Sequence, residues 1–309
     1  MDFDFPYLHR TGFMGAPLQD ASRPFAIAGI PFDSAVTNRP GARFGPQAIR
    51  QASQMLCDGT HPWFGVSPLD HLTDLGDLST PNTSLSDARA ALQQAILPLL
   101  HQYHMVWLGG DHSITLSLLR AYRQHVGQPL ALIHFDAHCD TWQNHFGEPS
   151  GHGTWTYEAL QEGLVVPSAT IQIGIRSAGE KAAIDHVNAV GGRVYTARAL
   201  RGQESETQLA PMLDDIRQRI LAAGNPPTYL TLDIDCLDPA FAPGTGTPEP
   251  GGLTTNQVLS VLEALVDLPL VGMDCVEVCP PYDHASLTAN AAAVFVWTYL
   301  CQRLAARAR

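Results

Sequence analysis

Apolar residues along this chain gather in short β-rich runs, at 25–29, 105–108, 130–135, 170–175, 193–196, 229–233 and 270–278, and each run is followed by a turn and then a helical pattern. Runs of that length suit strands buried on both faces. Their alternation with helical stretches predicts a parallel sheet covered by helices on either side, a three-layer α/β/α fold. Several helix starts carry their own signals. Pro46 stands where a first-turn proline is tolerated, ahead of Ala48, Ile49 and Arg50, and Ser84 or Ser86 can cap the run from Ala90 to Ile96. Thr254 and Gln257 form a possible capping box before the helically spaced Val258, Leu259, Val261, Leu262 and Leu265, and a last helix should run from about Thr288 into the Arg-rich end.

The chain has 309 residues, 45% of them hydrophobic, enough for a large core. Pro and Gly punctuate short turns throughout and no Ser-rich or charge-rich linker interrupts them, so residues 1–309 read as one domain. The net charge of -12, with Lys181 the only lysine, excludes the basic cluster that nucleic-acid binding needs. Acidity can attract a cationic small molecule, although it is also an ordinary route to solubility. The six cysteines fit no CxxC pattern, the N-terminal Met1 to Pro6 has no basic n-region, and no segment reaches the ~18 apolar residues of a membrane span. The expectation is a cytoplasmic protein with reduced thiols.

The candidate chemistry sits where runs end. After the buried run at 130–135 come His134, Asp136, His138 and Asp140 at alternate positions, which a strand's period of two would point to one face. A second run ends in Asp233 and Asp235, and a third passes through Gly109 and Gly110 to His112. In an open parallel sheet such ends share one rim. Carboxylates crowded there need a cation between them. An oxygen-rich set with two imidazoles suits Mn(II) better than Zn(II) or Mg(II), and two ions bridged by a carboxylate would compensate all the acids. An EF-hand reading of the Asp233 segment fails, because Ile234 and Pro239 do not suit that loop and its glycine and terminal glutamate are missing. His134 lies one step deeper than the others, which favours a supporting role over ligation. Asp111 and Asp238 read as turn or cap acids, and the remaining histidines, His9 and His145 among them, stay unassigned.

The motifs GGDHS at 109–113, FDAHCD at 135–140, DIDCLDPAFAPGTGTP at 233–248 and GMDCVEVCPPYD at 272–283 resemble the ureohydrolase family, in particular its agmatinase branch. The segment GIPFDSAVTNRPGARFGPQAIR at 29–50 is similar to the entry segment of the same branch, so the resemblance covers nearly the whole chain. It implies an eight-stranded parallel sheet, two Mn(II) per subunit, urea release, and a homotrimer or homohexamer. The family's metal ligands fall on His112, Asp136, His138, Asp140, Asp233 and Asp235, its proton-shuttling histidine on His152, and its guanidinium-binding glutamate on Glu277. Asp140 would also orient the attacking hydroxide.

What this implies is hydrolysis of a small cationic guanidino compound, with agmatine the first choice of substrate. Hydrolases of 4-guanidinobutyrate, 3-guanidinopropionate and proclavaminate share the same motifs, and the arginase pattern that grips an α-amino acid is not evident after Asp140. The substrate's tail should be read by the loop from Thr141 to Trp155 and by residues near Arg176, with Trp155 shortening the pocket or making a cation-π contact. Two readings of another kind remain open: a deacetylase-like single-metal enzyme, which the second set of acids opposes, and a non-catalytic metal-binding relative, which should lack His152 or Glu277.

Overall fold

The computed structural model describes residues 12–308; the N-terminal reading and His9 lie outside the described residues. In chain order the elements are β1 (Phe25–Ile30), α1 (Gly45–Ser53), β2 (Leu72–Asp77), α2 (Leu85–Leu100), β3 (His104–Gly109), α3 (Ile114–Val126), β4 (Leu130–Phe135), α4 (Trp155–Gln161), β5 (Val165–Ile175), α5 (Lys181–Ile184), α6 (His186–Ala189), β6 (Arg193–Thr196), α7 (Glu206–Ala222), β7 (Thr228–Asp233), α8 (Thr255–Ala264), β8 (Leu270–Val276) and α9 (Leu287–Arg307). The strands form one parallel sheet in the order β2-β1-β3-β8-β7-β4-β5-β6.

Alternate strand residues feed two separate cores, as a period of two requires. Phe25, Ile27, Val106, Leu108, Ile133 and Phe135 pack toward α1, α7, α8 and α9. Ala26, Ala28, Met105, Trp107 and Leu132 pack toward α2, α3 and α4. Helices therefore cover both faces, and the three-layer α/β/α expectation holds with all eight strands. The expected caps also form: Ser84 receives the Asp87 N–H, and Thr254 and Gln257 make a reciprocal box at α8. A second box, Ser205 with Gln208, starts α7. No helix among the described residues is long and apolar enough to cross a membrane.

The strand that the apolar pattern does not announce is β2. It lies at the sheet edge, and its buried Asp74 interrupts the apolar alternation. That carboxylate is held by Arg50 of α1, at 2.8 and 2.9 Å, and by the Phe13 N–H at 2.8 Å. A buried acid with its cation is stable in a strand, but the pairing spans 24 residues and leaves no local trace.

Strand order positions the site. Between β3 and β4 the chain inserts β8 and β7, so four neighbouring carboxyl ends open onto one crevice, where ligands collect in sheets of this type.

Candidate active site

His112 follows β3 through a glycine turn that lies flat on the backbone of Phe32. A Cβ on Gly110 would sit 1.7 Å from the Phe32 carbonyl oxygen, so no larger residue fits there. The turn places His112 with Nε2 2.8 Å from the Thr231 hydroxyl, which itself donates to Asp274 at 2.5 Å. With that proton committed, Thr231 can only accept, so His112 keeps a hydrogen on Nε2 and Nδ1 is the nitrogen whose lone pair a bound cation would take in place of a proton. Nδ1 has no hydrogen-bond partner and faces Asp136 Oδ2 at 3.1 Å, Asp233 Oδ2 at 3.1 Å and Asp140 Oδ2 at 3.3 Å.

A second lobe shares Asp136. Its other oxygen, Oδ1, lies 3.3 Å from His138 Nδ1, which is also 3.1 Å from Asp235 Oδ2. Asp235 is oriented by the Ala137 N–H at 3.1 Å and the Thr247 hydroxyl at 3.1 Å. The six residues named by their motifs are thus brought together as two lobes around one bridging carboxylate.

The convergence does not come from strand alternation alone. β4 ends at Phe135, so Asp136, His138 and Asp140 lie on the loop beyond it, and Asp140 is turned inward by a left-handed backbone with φ of 51°. Asp233 closes β7, while Asp235 sits in the short 3-10 turn that follows.

His134 falls within the first lobe's cluster. Its Nε2 is 2.7 Å from Asp136 Oδ2 and its Nδ1 is 3.1 Å from the Gln172 amide nitrogen. Both ring nitrogens are engaged, so the side chain orients Asp136 from behind.

The electrostatics fit a cation. Burial, then the neighbouring Asp136 carboxylate, pushes Asp140 well above the usual carboxylate range, and burial with Asp235 and Asp136 does the same to Asp233. Burial alone would depress His112, but Asp136 and Asp140 outweigh it and push it up to about 9; His138 is raised well above its usual range by Asp235 and Asp136 against the same burial. Acids and imidazoles shifted upward together mark a site short of positive charge. The unpartnered Nδ1 among three carboxylate oxygens shows where it is missing.

Beside this cluster stands Glu277, just past β8, with φ of 63°. Its Oε1 accepts the His112 backbone N–H at 2.8 Å and contacts His152 Nδ1 at 3.0 Å, whereas Oε2 is buried without a partner. The other ring nitrogen of His152 receives the Thr37 N–H at 3.1 Å. Burial disfavours the imidazolium, but Glu277 and Asp111 raise His152 to about 9. Asp111 receives the Ala35 N–H at 3.0 Å and the Ser113 N–H at 3.0 Å, so this buried turn acid ties the entry segment to the site.

Above them opens a cavity of about 630 Å³, lined by Thr37, Asn38, Trp142, His145, Phe146 and Glu180 together with the cluster itself. Trp142, His145 and Phe146 are stacked, with ring centroids 5.0 and 4.7 Å apart. Ser177 and Ala178 complete the wall near Arg176. Arg176 itself is spent on the backbone carbonyls of Asp235, Leu237 and Glu249, at 2.8, 3.0 and 2.5 Å.

Trp155 is not where the sequence reading put it. It is fully buried, does not line the cavity, and gives its indole N–H to Asp140 Oδ2 at 2.6 Å. The reason is the first turn of α4, which faces the sheet interior rather than the crevice. The rest of the loop does meet the cavity, through Trp142, Asn144, His145 and Phe146, although His145 had been given no role of its own. Thr231 and Asp274 were missed altogether; an acid inside the apolar run at 270–278 was the available signal.

The fold and this cluster define a class: a parallel α/β enzyme with His and Asp side chains that could hold metal ions. The model of the Arginase family matches residues 23–301. An agmatinase of Chromobacterium violaceum is 42% identical over 89% of this chain and 82% of its own. Among solved structures, a hypothetical agmatinase from Burkholderia thailandensis is 38% identical with a TM-score of 0.87, covering 99% of this chain and 94% of its own. The proclavaminate amidino hydrolase of Streptomyces clavuligerus is 37% identical, also at 0.87, covering 98% and 99%. The chain belongs to the arginase family and is a ureohydrolase.

Proposed function

We propose that the protein hydrolyses agmatine to putrescine and urea with two Mn(II) ions per subunit, one of which His112, Asp136, Asp140 and Asp233 would hold and the other Asp136, His138 and Asp235. The observation that carries this reading is the buried, unpartnered Glu277 Oε2 beside a His/Asp cluster whose Asp136 serves two lobes. When bound, the ions lower the pKa of water toward neutrality, so hydroxide is available near pH 7.

The chain's own groups do the rest. Glu277 takes the guanidinium through charge-assisted hydrogen bonds to Oε2, while His112 and His152 fix its other oxygen. Asp140 orients the nucleophile. As the carbon-nitrogen bond breaks, the departing amine needs a proton, and His152 is the buried titratable group beside Glu277 that can deliver it.

For the tail, the cavity offers Glu180 and the face of the Trp142, His145 and Phe146 stack, and no Lys or Arg lines it among the described residues. An ammonium suits that lining and a carboxylate does not, which favours agmatine over 4-guanidinobutyrate, 3-guanidinopropionate and arginine. Six unpaired cysteines suit a cytoplasmic setting, and a homotrimer or homohexamer is the expected assembly.

Urea release after Mn(II) loading, measured on all four guanidines, tests the reading. Agmatine should be turned over with the highest kcat/KM. A preference for a guanidino acid would overturn the tail assignment, and no urea from any of them would overturn the chemistry.

A further inference from the structure

The first turn of α4 grips Asp140 at two places. The Thr156 and Tyr157 backbone N–H groups donate to its carbonyl oxygen, at 3.1 and 3.2 Å, and the Trp155 indole N–H donates to its side-chain Oδ2 at 2.6 Å. Such support matters because the Asp140 backbone is left-handed, a conformation uncommon for residues other than glycine. The gripped oxygen is the one that faces His112 Nδ1 at 3.3 Å. Trp155 has no freedom to move away: it is fully buried, with ring centroids 4.7 Å from His112 and 4.9 Å from His134.

We propose that Trp155 is a positioning residue, whose indole N–H holds Asp140 Oδ2 turned toward His112 and so sets the metal affinity of the lobe formed by His112, Asp136, Asp140 and Asp233. A carboxylate free to rotate would have to be reoriented each time an ion binds. One held by a rigid, buried donor is oriented before the ion arrives, and partners of this kind typically carry about 10- to 100-fold in metal affinity. The inference rests on Asp140 being a metal ligand.

The test is Mn(II) binding to the metal-stripped protein, followed by calorimetry and by metal analysis. Trp155→Phe keeps the ring and removes the donor. It should weaken one of the two Mn(II) ions about 10-fold or more and leave the other unchanged, in a metal-free protein that still unfolds cooperatively although at a lower melting temperature. If Trp155 only fills space, both affinities stay as they were, and that result overturns the proposal. Asp140→Ala separates the two levels: loss of one ion there with no effect of Trp155→Phe rejects the role of Trp155 alone, while retention of both ions rejects the ligand assignment beneath it. Should Trp155→Phe not fold, the five indole N–H signals of 15N-labelled full-length protein decide. One of them should lie downfield, move on Asp140→Asn, and broaden first as Mn(II) is added. An indole spectrum untouched by Asp140→Asn overturns the proposal.

Discussion

His112 Nε2 lies 2.8 Å from Thr231 Oγ1, and that single contact decides which nitrogen of the imidazole is left for a metal ion. Thr231 can accept from His112 only because its own proton goes to Asp274, which in turn is held by the Tyr229 hydroxyl at 2.9 Å and the Thr115 hydroxyl at 3.0 Å. A chain of three buried side chains therefore fixes a tautomer.

Thr231→Val keeps the shape of the side chain and breaks this chain. We expect Mn(II) affinity to fall about 10- to 100-fold, with a stability loss of about 1–3 kcal/mol from the stranded Asp274 and His112 groups. Thr231→Ser should restore both. Chelator competition reports the affinity and thermal melting the stability; unchanged Mn(II) binding in the valine variant would refute the relay.

The division of labour between Asp140 and His152 predicts two kinds of inactive enzyme. His152→Ala should lose about 100-fold or more in turnover while keeping both Mn(II) ions, since its ring meets Glu277 and Thr37 rather than the cluster. Asp140→Ala should lose turnover and one ion together. Metal analysis beside urea release separates them, and equal metal loss in the two variants would contradict these roles.

Much of this site was legible because strand ends in a parallel sheet share a rim, so pairs such as Asp233 and Asp235 announce themselves as acids beyond an apolar run. What was not legible depended on contacts distant in sequence or on backbone handedness. The inward turn of Asp140 is a left-handed residue held by α4, and nothing in FDAHCD shows it. Trp155, three residues after His152, was read as lining the same pocket, yet the start of α4 buries it away from the cavity wall with its indole on Asp140. β2 escaped because its Asp74 is neutralised by Arg50 from another element. Thr231 reads as an ordinary β-branched strand residue until Asp274 is seen beside it.

Charge at the cluster predicts how the metal-free protein responds to pH. His112 and His152 are raised to about 9 from an ordinary value near ~6.5, so their contribution to stability is complete below about 6.5 and is lost as pH rises through about 9. Asp140 and Asp233, also raised, act in the same direction, favouring the fold in their protonated forms. Asp136 is held low by His134, His112 and His138 despite its burial, and matters only in acid, where its stabilisation is lost as pH falls. The melting temperature of metal-stripped protein should therefore drop between pH 6.5 and 9, and saturating Mn(II) should flatten much of that drop by supplying the missing positive charge. A metal-free melting temperature that rises over this range would contradict the electrostatic reading.

The tail assignment makes the last prediction, and it turns on Glu180. This carboxylate is exposed at the cavity wall, next to Gly179, whose Cα packs so closely on Trp142 that an added Cβ would lie 3.0 Å from its ring. The wall and the aromatic stack thus form one continuous surface. Because Glu180 is exposed, its attraction for an ammonium is screened, and Glu180→Gln should raise KM for agmatine only about 2- to 5-fold with little change in kcat. Glu180→Lys reverses the sign at the same place. It should raise KM for agmatine further and lower KM for 4-guanidinobutyrate, while Mn(II) content stays at the unaltered level, since Glu180 is not part of the cluster. Parallel KM measurements on the two guanidines check this, and a lysine variant that leaves their ratio unchanged would move the tail away from Glu180 and onto the aromatic stack alone.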